Sequence, residues 1–182
     1  MPIMKSRGTA TVEDLLAMPE DGHKHELVDG EIVVSPTGYK HAICTINISH
    51  IIATFLEEHP IGVVLSPDFG IWFPNGNLRS PDVTFLRNDK VPTGEALDKF
   101  GESVPDFAVE VLSPSDRPMH VAQKIGEFLE CGVPIVWLVD PAKKTVTEYR
   151  SLSETRLYSG DEVIHAEPVL PGFSCPVSRF FK

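Results

Sequence analysis

Pro105-Asp106-Phe107-Ala108-Val109-Glu110-Val111-Leu112-Ser113-Pro114-Ser115 is the stretch on which the fold turns. Phe107 to Leu112 reads as a strand, and alternation puts Ala108, Glu110 and Leu112 on one face with Phe107, Val109 and Val111 on the other. Neither face looks wet. An ionised carboxylate in such a strand is costly unless it meets a cation or several donors, so Glu110 predicts a metal, a lysine or an arginine beside it.

The helix that follows offers the cation. Between Arg117 and Cys131, Val121, Ile125, Phe128 and Leu129 mark a buried stripe, and the slot three residues after Val121 holds Lys124 instead of an apolar residue. Gly132 stops the helix, and the next strand, Ile135 to Val139, begins just after Pro134. A strand, a helix and a returning strand bring the helix back over the sheet, so Lys124 and Glu110 can meet. Each also has an ordinary structural explanation: Lys124 as a snorkelling side chain, Glu110 on a half-exposed edge strand.

A third residue joins them. Asp82 follows Pro81 and opens the run Val83-Thr84-Phe85-Leu86, a strand entered from the turn-rich Pro74-Asn75-Gly76-Asn77. Ser-Pro-Asp is also common turn chemistry, and Ser66-Pro67-Asp68 is a second copy. The β-forming segment directly behind Asp82 favours the later copy as the functional one.

The rest of the chain gives an α/β order. Thr11-Val12-Glu13-Asp14 predicts a capping box opening a short helix through Met18. His25 to Val28 and Glu31 to Val34 flank Asp29-Gly30, an N-terminal β-hairpin with a type I′ turn. A helix is predicted from about His41 to Glu58, with Cys44, Ile48, Ile51, Ile52 and Phe55 on one face. Strands are expected near Val63 to Leu65, Phe69 to Phe73 and Thr145 to Tyr149. A long surface loop spans Arg87 to Val104, and β-like pieces lie around Leu157, around Val163 and from Leu170 to Phe181.

With 182 residues, 42% of them hydrophobic, residues 1–182 read as a single domain with a proper core. No stretch has the length of a membrane span, and Met1 to Ala10 lacks the apolar core of a secretory signal, so a cytoplasmic protein is expected. Cys44, Cys131 and Cys175 are widely spaced and predict free thiols. The net charge of -10 opposes a general affinity for polyanions, which would need a local basic strip or a metal to offset that field.

The runs Glu26-Leu27-Val28-Asp29-Gly30-Glu31, Arg79-Ser80-Pro81-Asp82-Val83, Pro105 through Ser115, Lys124, and Gly132-Val133 through Trp137-Leu138-Val139-Asp140-Pro141 together resemble the Uma family of restriction endonuclease-like proteins, within the PD-(D/E)XK nuclease superfamily. The resemblance runs from about Val12 to the Leu170-Pro171-Gly172-Phe173 tail. It implies a restriction endonuclease-like core, a central mixed β-sheet flanked by helices. It also implies that Asp82 and Glu110 bind a divalent metal with the backbone carbonyl of Val111, and that the catalytic lysine has moved from the strand, where Leu112 stands, to Lys124. His120 and Phe128 replace an Asp and a Tyr common in the family, and Pro134-Ile135-Val136 replaces an acidic approach to Trp137.

Hard carboxylate oxygens suit Mg²⁺ or Mn²⁺, which keep several waters and share their shell with substrate phosphates. The expected function is metal-dependent phosphodiester hydrolysis, with DNA as substrate and Lys124 orienting the attacking water or stabilising developing charge. Glu26 is read as an accessory ligand or acceptor, or equally as an outward strand residue, and His41 as a packed histidine more than a general base. Cutting both strands needs two active sites, so a homodimer is expected, with Arg79, Arg87, Lys90 and Arg117 as a DNA-contacting strip. Two rivals remain: a non-catalytic nuclease fold that binds nucleic acid or regulates, and an acidic protein-interaction module.

Overall fold

Asp29 and Gly30 close a hairpin between β1 (Lys24–Val28) and β2 (Glu31–Ser35), with Val28 paired to Glu31. Their φ values of 50° and 73° are the left-handed pair that a type I′ turn requires. A Cβ on Gly30 would strike the Gly8 carbonyl, so only glycine fits. The structure, a computed structural model, describes residues 8–19, 24–35 and 38–182. Before the hairpin, α1 (Val12–Leu16) carries the capping box: the Thr11 hydroxyl accepts from the Asp14 N–H and the Asp14 carboxylate accepts from the Thr11 N–H.

After the hairpin, α2 (Tyr39–Glu58) buries Cys44, Ile48, Ile52 and Leu56 on one stripe. Then come β3 (Gly62–Leu65), the two-residue strands β4 (Ile71–Trp72) and β5 (Leu78–Arg79), and β6 (Val83–Arg87). The expected Phe69 to Phe73 strand is therefore reduced to two residues, and β5 is an addition. The long loop holds two 3-10 turns, Asn88–Lys90 and Gly94–Asp98. The decisive stretch forms β7 (Phe107–Val111), followed by α3 (Pro118–Glu130) and β8 (Val136–Asp140). β9 (Thr145–Tyr149), β10 (Thr155–Ser159), β11 (Val163–Ala166) and β12 (Leu170–Pro176) complete the strands. The last expected β-like piece stops at Pro176. Val177–Phe181 is a 3-10 turn whose buried Val177 and Phe180 are spaced three apart, which suits that turn and not a strand.

The central sheet has the order β10-β9-β8-β7-β6-β3, and a smaller sheet has the order β2-β1-β5-β4. In the central sheet β7 and β8 are parallel, joined by α3, and the other neighbours are antiparallel. The result is a mixed sheet with helices on both faces. Phe107, Val109 and Val111 point to the α2 face, where they meet Ile48, Ile52, Trp137, Phe173 and Phe180. Ala108 points to the α3 face with Ile125, Phe128 and Val136. The alternation read from Phe107 to Leu112 holds. Because β7 lies between β6 and β8, the edge-strand explanation of Glu110 is excluded. The three cysteines are free thiols, with Cys44 and Cys175 buried and Cys131 half-buried.

Candidate active site

β6 and β7 pair with Val83 opposite Val109 and Thr84 opposite Ala108. One step further along that register, Asp82 faces Glu110 across the two central strands, on the same side of the sheet. Helix α3 starts at Arg117-Pro118, with proline in its first turn, and leans Lys124 onto this point. Lys124 Nζ lies 2.9 Å from Glu110 Oε1 and 3.2 Å from Glu26 Oε1, with its side chain only 15% exposed. It does not snorkel. Its charge also lies 5.7 Å from the Phe128 ring centroid, and Phe128 stacks on Phe73.

Asp82 is nearly sealed, at 2% exposure. Lys24 Nζ donates to its Oδ1 at 2.7 Å, the Val111 N–H donates to its Oδ2 at 2.8 Å, and His41 Nε2 lies 3.0 Å from that same Oδ2. Burial alone would raise its pKa, but the His41 bond and the charges of Lys24, His41 and Lys124 outweigh it and hold the carboxyl well below the usual carboxylate range. Glu110 behaves oppositely. Burial, helped by the nearby Asp82 and Glu26 charges, overcomes the pull of Lys124 and Lys24 and pushes it up to about 7. Its buried Oε1 has Lys124 at ion-pair distance but no aligned hydrogen bond. Lys124 itself is raised, since the attraction of Glu110, Glu26 and Asp82 exceeds its cost of burial.

Glu26 is inward. Its Oε1 accepts from the Ser80 N–H at 2.7 Å, and Arg79 Nη1 lies 3.8 Å from its Oε2. Burial works against its ionisation, but Lys124, Lys24, Arg79 and the Ser80 N–H together bring its pKa below the usual value. His41 is buried near the start of α2, with its Nε2 against the Asp82 carboxylate. Val111 lines the same cavity, of about 230 Å³, which also exposes Ser113, Arg117 and His120 at its edge.

Lys24 was not anticipated. It donates to the Ser80 carbonyl at 2.8 Å as well as to Asp82. The signal lies in β1: Lys24 and Glu26 are two apart and so share a face, and once Glu26 is inward Lys24 must be too. The expected basic strip needs correction. Arg79 is buried, bonding Glu127 of α3 through Nε at 3.0 Å and through its terminal nitrogen, with Glu26 of β1 on its other side. Arg87 ends β6 and Lys90 lies beyond it, about 16 Å or more from Asp82 at roughly 3.3 Å per strand residue. There Arg87 donates to the Pro168 carbonyl and Lys90 pairs with Asp106. Of the four, Arg79 and Arg117 line the cavity, Arg79 with its charge already paired to carboxylates.

The site thus sets three carboxylates, Glu26, Asp82 and Glu110, against three cations, Lys24, Arg79 and Lys124. Among the described residues no group of three His, Cys, Asp or Glu is placed to hold a metal ion. The donors present fit a sparser kind of site. Two hard carboxylates face each other, one with a buried oxygen lacking an aligned donor, and Mg²⁺ or Mn²⁺ takes most of its shell from water and phosphate.

Among the described residues no helix is long and apolar enough to cross a membrane. No curated protein matches the chain. A solved structure described as "a putative nuclease belonging to DUF820 from Anabaena variabilis" has the same fold, with a TM-score of 0.80 and 22% identity over 94% of this chain and 97% of that one. The Uma2 family model, described as "Putative restriction endonuclease", matches residues 12–178. A match over that length shows that this protein belongs to the Uma2 family.

Proposed function

We propose that the protein is a divalent-metal-dependent endonuclease that hydrolyses phosphodiester bonds in DNA. The observation that carries this reading is the facing pair Asp82 and Glu110 with Lys124 Nζ 2.9 Å from Glu110. Asp82, Glu110 and the Val111 carbonyl would hold Mg²⁺ or Mn²⁺. When bound, the ion lowers the pKa of a water and neutralises charge on the phosphate. The chain's own residues then divide the remaining work. Lys124, fixed by Glu26 and Glu110, orients the attacking water or donates to the phosphate oxygen as negative charge builds on it. His41 and the Val111 N–H fix the Asp82 carboxylate so that it needs no reorganisation. The three carboxylates and three cations cancel, so one added divalent ion leaves the cavity net positive toward a phosphodiester even in an acidic protein.

One observation favours the second reading, a fold that binds nucleic acid without cutting it. Both Asp82 oxygens already have protein donors, so the site is electrostatically complete without an ion. Two measurements decide. Mn²⁺ or Mg²⁺ should raise the unfolding midpoint of the wild type and not that of Asp82→Ala. Lys124→Met keeps the buried stem and should lower cleavage at least about 100-fold while the fold persists. Full activity in Lys124→Met would remove the lysine from the mechanism. A metal response that survives Asp82→Ala would move the ion elsewhere.

A further inference from the structure

Lys24, His41 and Asp82 form a wall with a cavity on each side. One is the polar cavity already described. The other measures about 420 Å³ and lies between α2 and the end of β3. Its walls are mostly apolar, from Ala42, Ile46, Val64, Leu65 and Pro67, with Thr45, Ser49, Ser66 and Asp68 as polar members. That volume falls within the range of small-ligand pockets, roughly 300–1,000 Å³. Nothing in the metal chemistry uses it.

Thr45 supplies a second, independent observation. The residue is 7% exposed and its hydroxyl has no hydrogen-bond partner among the described residues. A buried hydroxyl without a partner is a standing cost, and a helical threonine has two accessible χ1 rotamers by which it can turn its oxygen toward the cavity. An apolar slot with one such hydroxyl suits a flat, mostly apolar ring with a polar edge. Because the slot shares a wall with the phosphate cavity, the ring that fits is one attached to the phosphate being cut.

We infer that this second cavity is a nucleobase subsite: it takes the unstacked base of a nucleotide flanking the scissile phosphate, with Thr45 bonding the base edge. The inference rests on the nuclease reading and adds a requirement to it. A base can enter only when it is out of a duplex stack, so single-stranded or locally opened DNA is favoured over an intact duplex.

The test uses the full chain in Ca²⁺ with two trinucleotides, one carrying 2-aminopurine and one abasic at the same position. Wild-type protein should bind the base-bearing trinucleotide about ten-fold more tightly than the abasic one. The 2-aminopurine should brighten on binding, since it leaves its stack with the neighbouring bases and, among the described residues, no Phe, Tyr or Trp lines the slot. Ala42 is exposed on α2, so Ala42→Phe can fill the slot with little effect on folding, and it should erase the preference for the base. Thr45→Val should weaken binding of the base-bearing trinucleotide a few-fold while raising the unfolding midpoint, a split that a purely structural threonine would not produce. Equal affinity of the wild type for both trinucleotides, a comparison that needs no variant, would overturn the subsite and leave the nuclease reading standing. Unaltered base preference in a folded Ala42→Phe would do the same. Failure of the wild type to bind either trinucleotide would overturn both.

Discussion

Asp82 is buried and Glu110 nearly so, with a buried Oε1, yet the protein moves the two carboxylates in opposite directions. Asp82 has Lys24, His41 and the Val111 N–H as donors, whereas Glu110 has the Lys124 charge without an aligned hydrogen bond. The sign of the pH effect follows. Asp82 and Glu26 are depressed in the folded state, so their stabilisation is present above the ordinary carboxylate pKa and is lost as pH falls. Glu110 is raised from 4.5 to about 7, so its contribution is complete below its unfolded value and is lost as pH rises through about 7. Metal-free protein should therefore be most stable in mildly acid solution and lose at most about 3 kcal/mol toward pH 8. Denaturant titrations at several pH values should show this loss in the wild type, a flat limb in Glu110→Gln, and recovery of the wild type by Mn²⁺. A limb that persists in Glu110→Gln would assign the loss to another group.

At the scale of elements, β7, α3 and β8 are legible because each carries its own signal: alternation, a buried stripe with Pro at its start and Gly at its end, and an apolar run. Lys124 stands out because it breaks that stripe. Lys24 does not, because a hairpin signal fixes the turn but not which face of β1 is buried. Arg79 misleads for a different reason. A two-residue strand has no period of its own, and β5 exists only because Leu78 pairs with Leu27 and Trp72 across the small sheet. That placement threads Arg79 between Glu127 of α3 and Glu26 of β1, tying helix, hairpin and central sheet together at the site. Glu127 is held below its usual pKa as the arginine bonds and the Asn75 and Asn77 donors outweigh its burial. Removing the arginine leaves two carboxylates short of a cation, so Arg79→Met should cost about 3 kcal/mol in equilibrium unfolding. A loss under about 0.5 kcal/mol would show that Lys124 and the asparagines already satisfy both acids.

For the whole molecule, the question is how an acidic chain meets an acidic polymer. The net charge of -10 repels DNA at long range, Arg87 and Lys90 lie at the far end of β6, and Lys24, Arg79 and Lys124 at the cavity are already paired with carboxylates. Under the proposed function, affinity then comes from the site itself, where a bound divalent ion would add two charges to a balanced set. Counterion release scales with the number of phosphates neutralised, and about two contacts per protomer give a slope of log K against log salt near -2, shallower than a basic strip would produce. A two-fold homodimer, the assembly that presents two sites to two strands, would double that slope to about -4 and make the second contact intramolecular. Sedimentation should accordingly report twice the chain mass, and DNA titrated with Ca²⁺ at two salt concentrations should bind with the steeper slope, with no binding when the ion is chelated. A monomer with the shallower slope would restrict the protein to nicking one strand. Tight binding in chelator would contradict the argument from charge, because Lys24, Arg79 and Lys124 at the cavity are already paired with carboxylates.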